Sequence, residues 1–241
     1  MFALSWLALP LPQWNGLICV SVATVATIVF FEGGRWRLGL FVPPRFASRE
    51  LVEGLAWGVG IVGTCALVVV LSTDVRHERG AGFPWLELVT VFLPAVFHEE
   101  LLFRGYPFQK LRTRSRALAL ILIALIFAAL HANNTAVTML ALANVFLGGV
   151  LLGLAYERYE RLWFPIGLHL AWNLMSGPIL GHEVSGYSGA TTVFVERGAG
   201  AVWLTGGEFG IEGSGVMTGV EIMAIAVFLR MKAEGRRQKA E

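Results

Sequence analysis

Six side chains in this sequence have the types and spacing for hydrolytic chemistry. The run Phe97-His98-Glu99-Glu100-Leu101-Leu102-Phe103-Arg104 puts Glu100 and Arg104 at i and i+4, on one helix face and in the order that favours an ion pair. Glu99 lies about 100° round the same helix. One carboxylate is thus held by the arginine while the other faces a different neighbour, a division into an orienting and a catalytic group. His131 closes an apolar run that starts at Phe127, and His169 with Asn173 forms a second i, i+4 pair. Converged in one pocket, such a set can perform hydrolysis. A glutamate takes a proton from water, a histidine or a metal fixes that water, and imidazole and amide groups stabilise the oxyanion.

All six residues fall in apolar segments. Of 241 residues, 56% are hydrophobic and 15% charged, with a mean hydropathy of +0.65, whereas soluble domains are about a quarter charged. Apolar blocks long enough for a ~30 Å hydrocarbon core are predicted at about 15–31, 52–72, 86–108, 117–132, 136–156, 163–181 and 215–231. The expected fold is therefore all-α, a polytopic transmembrane bundle of about seven spans. It forms a single integral membrane domain over 1–241, with a functional core at about 84–181, an outside loop at about 182–214 and a tail at about 232–241. An ionisable residue at the centre of a span costs ~2.5 to 3.5 kcal/mol on the insertion scale, so it is kept mainly where it faces a bundle interior and acts. Counting the helical rise from the nearest basic residue puts Glu99, His131, His169 and Asn173 about 12 to 22 Å deep, in one mid-membrane band.

Basic residues set the orientation. The connection after the first predicted span carries Arg35, Arg37, Arg45 and Arg49. The next on that side carries Lys110, Arg112, Arg114 and Arg116, the third Arg158 and Arg161, and the tail Arg230, Lys232, Arg236, Arg237 and Lys239. The opposite side holds only Arg76, Arg79 and Arg197. The expected topology is an outside N-terminus and a cytoplasmic C-terminus in the cell membrane. A net charge of +2 is no nucleic-acid footprint. Cys19 and Cys65 sit in apolar blocks and read as small buried hydrophobes.

Glu-Glu-x-x-x-Arg at 99–104, Phe-x-x-x-His at 127–131 and His-x-x-x-Asn at 169–173, in that order, resemble the three motifs of the type II CAAX prenyl protease family, also called the CAAX protease and bacteriocin-processing (CPBP) or Abi family. The segment from Leu204 to Ser214 also resembles what bacterial members carry before their last span. The resemblance implies an intramembrane endopeptidase acting on a membrane-associated peptide, either a prenylated or otherwise lipidated C-terminus or a leader peptide. Glu99 would be the general base, supported by Glu100 and Arg104; His131 would hold the water or a metal, and His169 with Asn173 would complete the site. The family is usually described as zinc-dependent, which makes Glu99, His131, His169 and Asn173 the candidate ligands. A metal-free glutamate mechanism, with His169 and Asn173 as an oxyanion hole, stands beside it, since asparagine is a poor zinc ligand.

Two rival functions use the same residues. One is a non-catalytic immunity or scaffold protein that binds a partner peptide, opposed by the complete motif set. The other is a proton-coupled transporter with Glu99, Glu100 and His131 as a relay, opposed by the expected lack of related halves and of broken helices. Other intramembrane proteases are excluded. Asp74 is the only aspartate, Leu102 breaks a His-Glu-x-x-His pattern, and Ser176-Gly177 lacks the preceding glycine of Gly-x-Ser-Gly. His98 lies outside the three motifs, and His77 and His182 are expected to be solvated in loops. Glu53, Glu87 and Glu221 are expected to snorkel near span ends. The Gly149-x-x-x-Gly153 pair predicts a close helix contact.

Overall fold

The computed structural model describes residues 12–237, with side chains described as far as Met231. The predicted outside N-terminus and the last residues of the predicted tail, 238–241, lie outside the described residues. A helix stands at each of the seven predicted positions. These are α1 (Pro12–Glu32), α2 (Pro44–Ser72), a third element described below, α6 (Arg116–Leu130), α7 (Met139–Tyr159), α8 (Trp163–Leu174) and α10 (Gly215–Arg237). Three of them, α1, α2 and α7, are long and apolar enough to cross a membrane by length and composition, while α6 is apolar but shorter. Val25, Phe30 and Phe31 of α1, Leu71 of α2 and Leu125 of α6 are exposed, as expected where lipid rather than water is the solvent. The chain is a mostly helical membrane protein.

The third predicted span is not one helix. It is built from α3 (Trp85–Glu87), a π turn (Leu88–Phe92) and α4 (Leu93–Phe103), and it breaks after Arg104 before α5 (Tyr106–Arg112). A second π turn, Met175–Ile179, prolongs α8. Proline accounts for both widenings, because it lacks an N–H and crowds the carbonyl four residues back. Pro94 follows the first π turn and Pro178 sits inside the second. The two turns therefore flank the motif residues on α4 and α8. Elsewhere the helix starts are conventional: the Ser115 and Thr138 side chains accept from the N–H groups of Leu118 and Ala141 to cap α6 and α7.

Helix α8 is seated against α2 through glycine. A Cβ at Gly54 would lie 2.2 Å from the carbonyl oxygen of Phe164, and one at Gly58 would lie 2.5 Å from that of Leu168. Backbone meets backbone here, as small residues permit in membrane bundles. The Gly149 and Gly153 pair does make a close contact, within the chain: Gly149 meets Ala124 and Phe127, and Gly153 meets Leu120 and Phe108. We expect Gly54→Ala to destabilise the protein by about 1 to 3 kcal/mol, the usual range for overpacking. Gly60→Ala, with nothing within 4 Å, should leave thermal unfolding unchanged or slightly raised. Equal melting temperatures for the two variants would refute the contact.

Charged side chains gather at one end of the bundle. Glu32 pairs with Lys110, Glu50 with Arg161, Glu53 with Arg158, Glu157 with Arg112 and Arg116, and Glu160 with Arg112. Glu53, expected to snorkel, is instead tied to Arg158 and to the Tyr159 hydroxyl. At the opposite end a short pair of strands joins the helices. β1 (Arg76–Arg79) and β2 (Phe194–Arg197) form an antiparallel ribbon with His77 opposite Glu196. Both strands are short and largely charged, so they carry no apolar alternation to announce them. The segment predicted as an outside loop also turns inward after α9 (Val202–Thr205), burying Phe209, Ile211, Glu212 and Ser214.

Candidate active site

Glu100 and Arg104, at the end of α4, are fully buried. Arg104 Nη1 donates to Glu100 Oε1 at 3.0 Å, and Nη2 donates to the carbonyl oxygen of Gly149 on α7, also at 3.0 Å. The guanidinium lies 4.9 Å from the centre of the Phe127 ring. Arg104 thus ties together three helices, α4, α6 and α7. His169 of α8 adds the fourth, with Nδ1 at 2.8 Å from the same Glu100 oxygen. A carboxylate only accepts, so Nδ1 carries the hydrogen. That leaves Nε2 turned towards Glu99, 3.7 Å from Oε2.

The two adjacent glutamates thus share His169, through its two ring nitrogens, and differ in the rest of their surroundings. Glu99 lines a cavity of about 660 Å³ together with His131, His169 and Asn173. Glu100 and Arg104 stand behind His169 and do not line it. His131 Nδ1 is 2.8 Å from the carbonyl oxygen of Phe127. Its Nδ1–H is thereby committed to the backbone, and Nε2 remains as an acceptor. The Phe127 ring lies between the two histidines, with centroids 4.5 Å from His131 and 6.4 Å from His169. All six residues read from the sequence are thus at one locus, four on the cavity wall and two behind it. His98 also lines the cavity. The rest of the mouth is formed by Gln13 at the start of α1, by residues 133–135 after α6 and by residues 184–187. The cavity opens at the end of the bundle away from the charged ring.

Three residues of this wall were not legible as site residues. Glu212, expected in an outside loop, is buried and accepts from Trp172 Nε1 and from the Ser185 N–H, each at 2.7 Å, and from the Ser185 hydroxyl at 2.5 Å. Asn144 of α7 donates to the carbonyl oxygens of Glu212 and Ser214 and accepts from the Thr218 hydroxyl. Glu221, expected to snorkel, is buried at 1% exposure and lines the cavity from α10. Neither of its oxygens has a hydrogen-bond partner among the described residues. These contacts join segments far apart in sequence, so no local period reveals them; the only signal was the cluster of glutamates in a glycine-rich stretch. Glu212→Ala should lower stability by at least about 2 kcal/mol, since it strips a charged acceptor from a buried indole and a buried loop. Thermal unfolding checks this, with the exposed Glu208→Ala as a neutral control.

A zinc held by a glutamate and two histidines needs one donor from each within a tetrahedral shell. Glu99, His131 and His169 do not form such a group. Among the described residues, the group of three such donors that all lie within 4.8 Å of one another is that of His77, His182 and Glu196 at the ribbon end. The ribbon group corrects the solvated reading of His77 and His182. His182 is 6% exposed and its Nδ1 pairs with Glu196, while the His77 and His182 rings meet edge to face at 5.3 Å. Burial, with the neighbouring His182, presses the His77 imidazole below its ordinary pKa. Burial opposes the charge of Glu196, yet the hydrogen bond from His182 holds its carboxyl below the usual range.

Comparison with known proteins bears on the same stretch. Residues 81–175 match the family described as type II CAAX prenyl endopeptidase Rce1-like. The chain is also similar to an uncharacterized 24.3 kDa protein of Escherichia coli, at 34% identity over 88 residues, which is 35% of this chain and 40% of that protein. The match thus spans less than half of the relative's length. No solved structure matches. Glu99, Glu100, Arg104, His131, His169 and Asn173 all lie within 81–175, the stretch that matches this CAAX prenyl endopeptidase family.

Proposed function

We propose that the protein is an intramembrane endopeptidase that hydrolyses a peptide bond of a membrane-associated peptide with a glutamate-activated water. The observation that carries this reading is the His169 ring held between the two glutamates, Nδ1 on buried Glu100 and Nε2 facing Glu99 at the cavity wall. Glu99 takes a proton from a water that His131 accepts through Nε2. The water oxygen attacks the carbonyl carbon, and Asn173 donates to the oxygen that becomes negative together with Nε2–H of His169 in its imidazolium form, whose Nδ1–H stays on Glu100. Glu99 then delivers its proton to the amide nitrogen as the C–N bond breaks. Glu100 and Arg104 touch no reacting atom; they position His169.

In this reading the seven helices cross the membrane and the ring of ion pairs is its cytoplasmic face, in keeping with the basic connections gathered there. The cavity then opens outward, at the ribbon end. Such an opening suits a leader peptide or a lipid-anchored segment already outside better than a prenylated tail in the cytoplasm. The test is cleavage of a library of membrane-anchored peptides by purified, reconstituted protein, with zinc counted in the same samples. Cleavage by wild type that Glu99→Gln lacks supports the reading. Zinc that disappears with His131→Ala would overturn its metal-free form, and no cleavage by well-folded wild type would favour a peptide-binding scaffold instead.

A further inference from the structure

The ribbon end of the bundle carries a second cluster of metal-ligand side chains, separate from the cavity. His77 on β1 stands opposite Glu196 on β2, and His182 follows the π turn that ends α8. One ligand atom from each lies within 4.8 Å of the other two. Zinc bonds of 2.0 to 2.1 Å hold tetrahedral ligands about 3.3 Å apart. Side-chain shifts of up to about 1.5 Å bring the group to that spacing, and Glu196, whose side chain is 28% exposed, is free to rotate. The cluster is also more than an ion pair. Nε2 of His182 and Nε2 of His77 are both buried and lack a hydrogen-bond partner among the described residues. Buried polar atoms are nearly always satisfied, so two unpartnered imidazole nitrogens in a cluster that also holds a carboxylate are the mark of an absent ligand.

The geometry points to a zinc site made by His77, His182 and Glu196, with water in the fourth position, that clamps the β1·β2 ribbon to the end of α8. Two imidazoles and a carboxylate with one position open are a donor set zinc accepts readily. The ligands come from three segments, so binding the ion staples parts of the chain that a short, charged ribbon holds weakly. His182 lies on the turn directly beyond the helix that bears His169 and Asn173. The ion therefore fixes the outer end of that helix without touching the cavity.

Full-length protein in detergent is stripped with a chelator, given micromolar zinc and passed through a desalting column before zinc is counted by mass spectrometry. Wild type, Glu99→Gln and His131→Ala should each retain about one equivalent, while His77→Asn and Glu196→Gln should each fall at least fivefold. At a hundredfold excess of zinc over its dissociation constant, the folding equilibrium of wild type shifts by about a factor of 100, so zinc should raise its melting temperature and leave that of the two ribbon variants unmoved. Both variants change partly exposed side chains, and their melting without zinc verifies that they fold. Failure of wild type to take up zinc, retention by the ribbon variants, or loss in His131→Ala would each overturn the site.

Discussion

Glu99→Gln is expected to reduce peptide cleavage by at least about 10³-fold while leaving the protein inserted and its melting temperature unchanged. The replacement keeps the size and polarity of the side chain but removes its ability to take a proton from water, a contribution that general-base catalysis sets at about 10² to 10⁴. Structure gives no reason for a folding defect. The Glu99 side chain is 26% exposed to the cavity and faces His169 Nε2 at 3.7 Å, beyond hydrogen-bond distance, while Glu100 still holds that ring, so no buried partner is left uncompensated. A change within about 0.5 kcal/mol is the norm for such positions. Glu99→Asp should be intermediate, because it keeps the base but withdraws it by one methylene from the water it must reach. Cleavage rates under single-turnover conditions, with circular dichroism melts on the same samples, decide the matter. Full activity in Glu99→Gln would remove this residue from the chemistry and reopen the place of Glu221, a buried carboxyl on the same cavity wall.

The contrast between Glu99 and Glu221 shows how far the sequence was readable. The helices were legible because apolar blocks of membrane length are a property of consecutive residues. The Glu100 and Arg104 pairing was legible because i, i+4 neighbours share a helix face whatever the tertiary structure does. His131, His169 and Asn173 were found by motif order rather than by any visible contact between them. Glu221 and Glu212 acquire their meaning only when α10 and the turn before it fold back onto α7 and α8, as when Asn144 reaches the carbonyl of Glu212. The ribbon was missed for the same reason: His77 meets Glu196 across a gap of more than a hundred residues. The Gly54 and Gly58 contact lay in plain sight as a Gly-x-x-x-Gly pair, but nothing local said that α8 would be its partner.

Arg104→Ala should be the most damaging single change in stability, at about 3 to 5 kcal/mol, the range seen when one member of a buried ion pair is removed. Arg104 and Glu100 are both at zero exposure, and the carboxylate left behind would keep only His169 as a donor. The guanidinium also bridges α4 to the Gly149 carbonyl of α7, so a buried acceptor is orphaned as well. Arg104→Lys keeps the charge, yet one ammonium cannot reproduce the planar fork that reaches both groups, and it should fall between wild type and alanine. The decisive variant is the double change Glu100→Gln with Arg104→Met. It removes both charges and leaves the glutamine oxygen to accept from His169 Nδ1, so the uncompensated buried carboxylate disappears and more than half of the lost stability should return. Activity should not return with it. If Glu100 serves as the negative support behind His169, kcat stays depressed while KM stays near wild type, because no group that contacts the peptide has been altered. Recovery of both stability and kcat in the double variant would reduce the pair to neutralised membrane charge, and the mechanism would then rest on Glu99, His131, His169 and Asn173 alone.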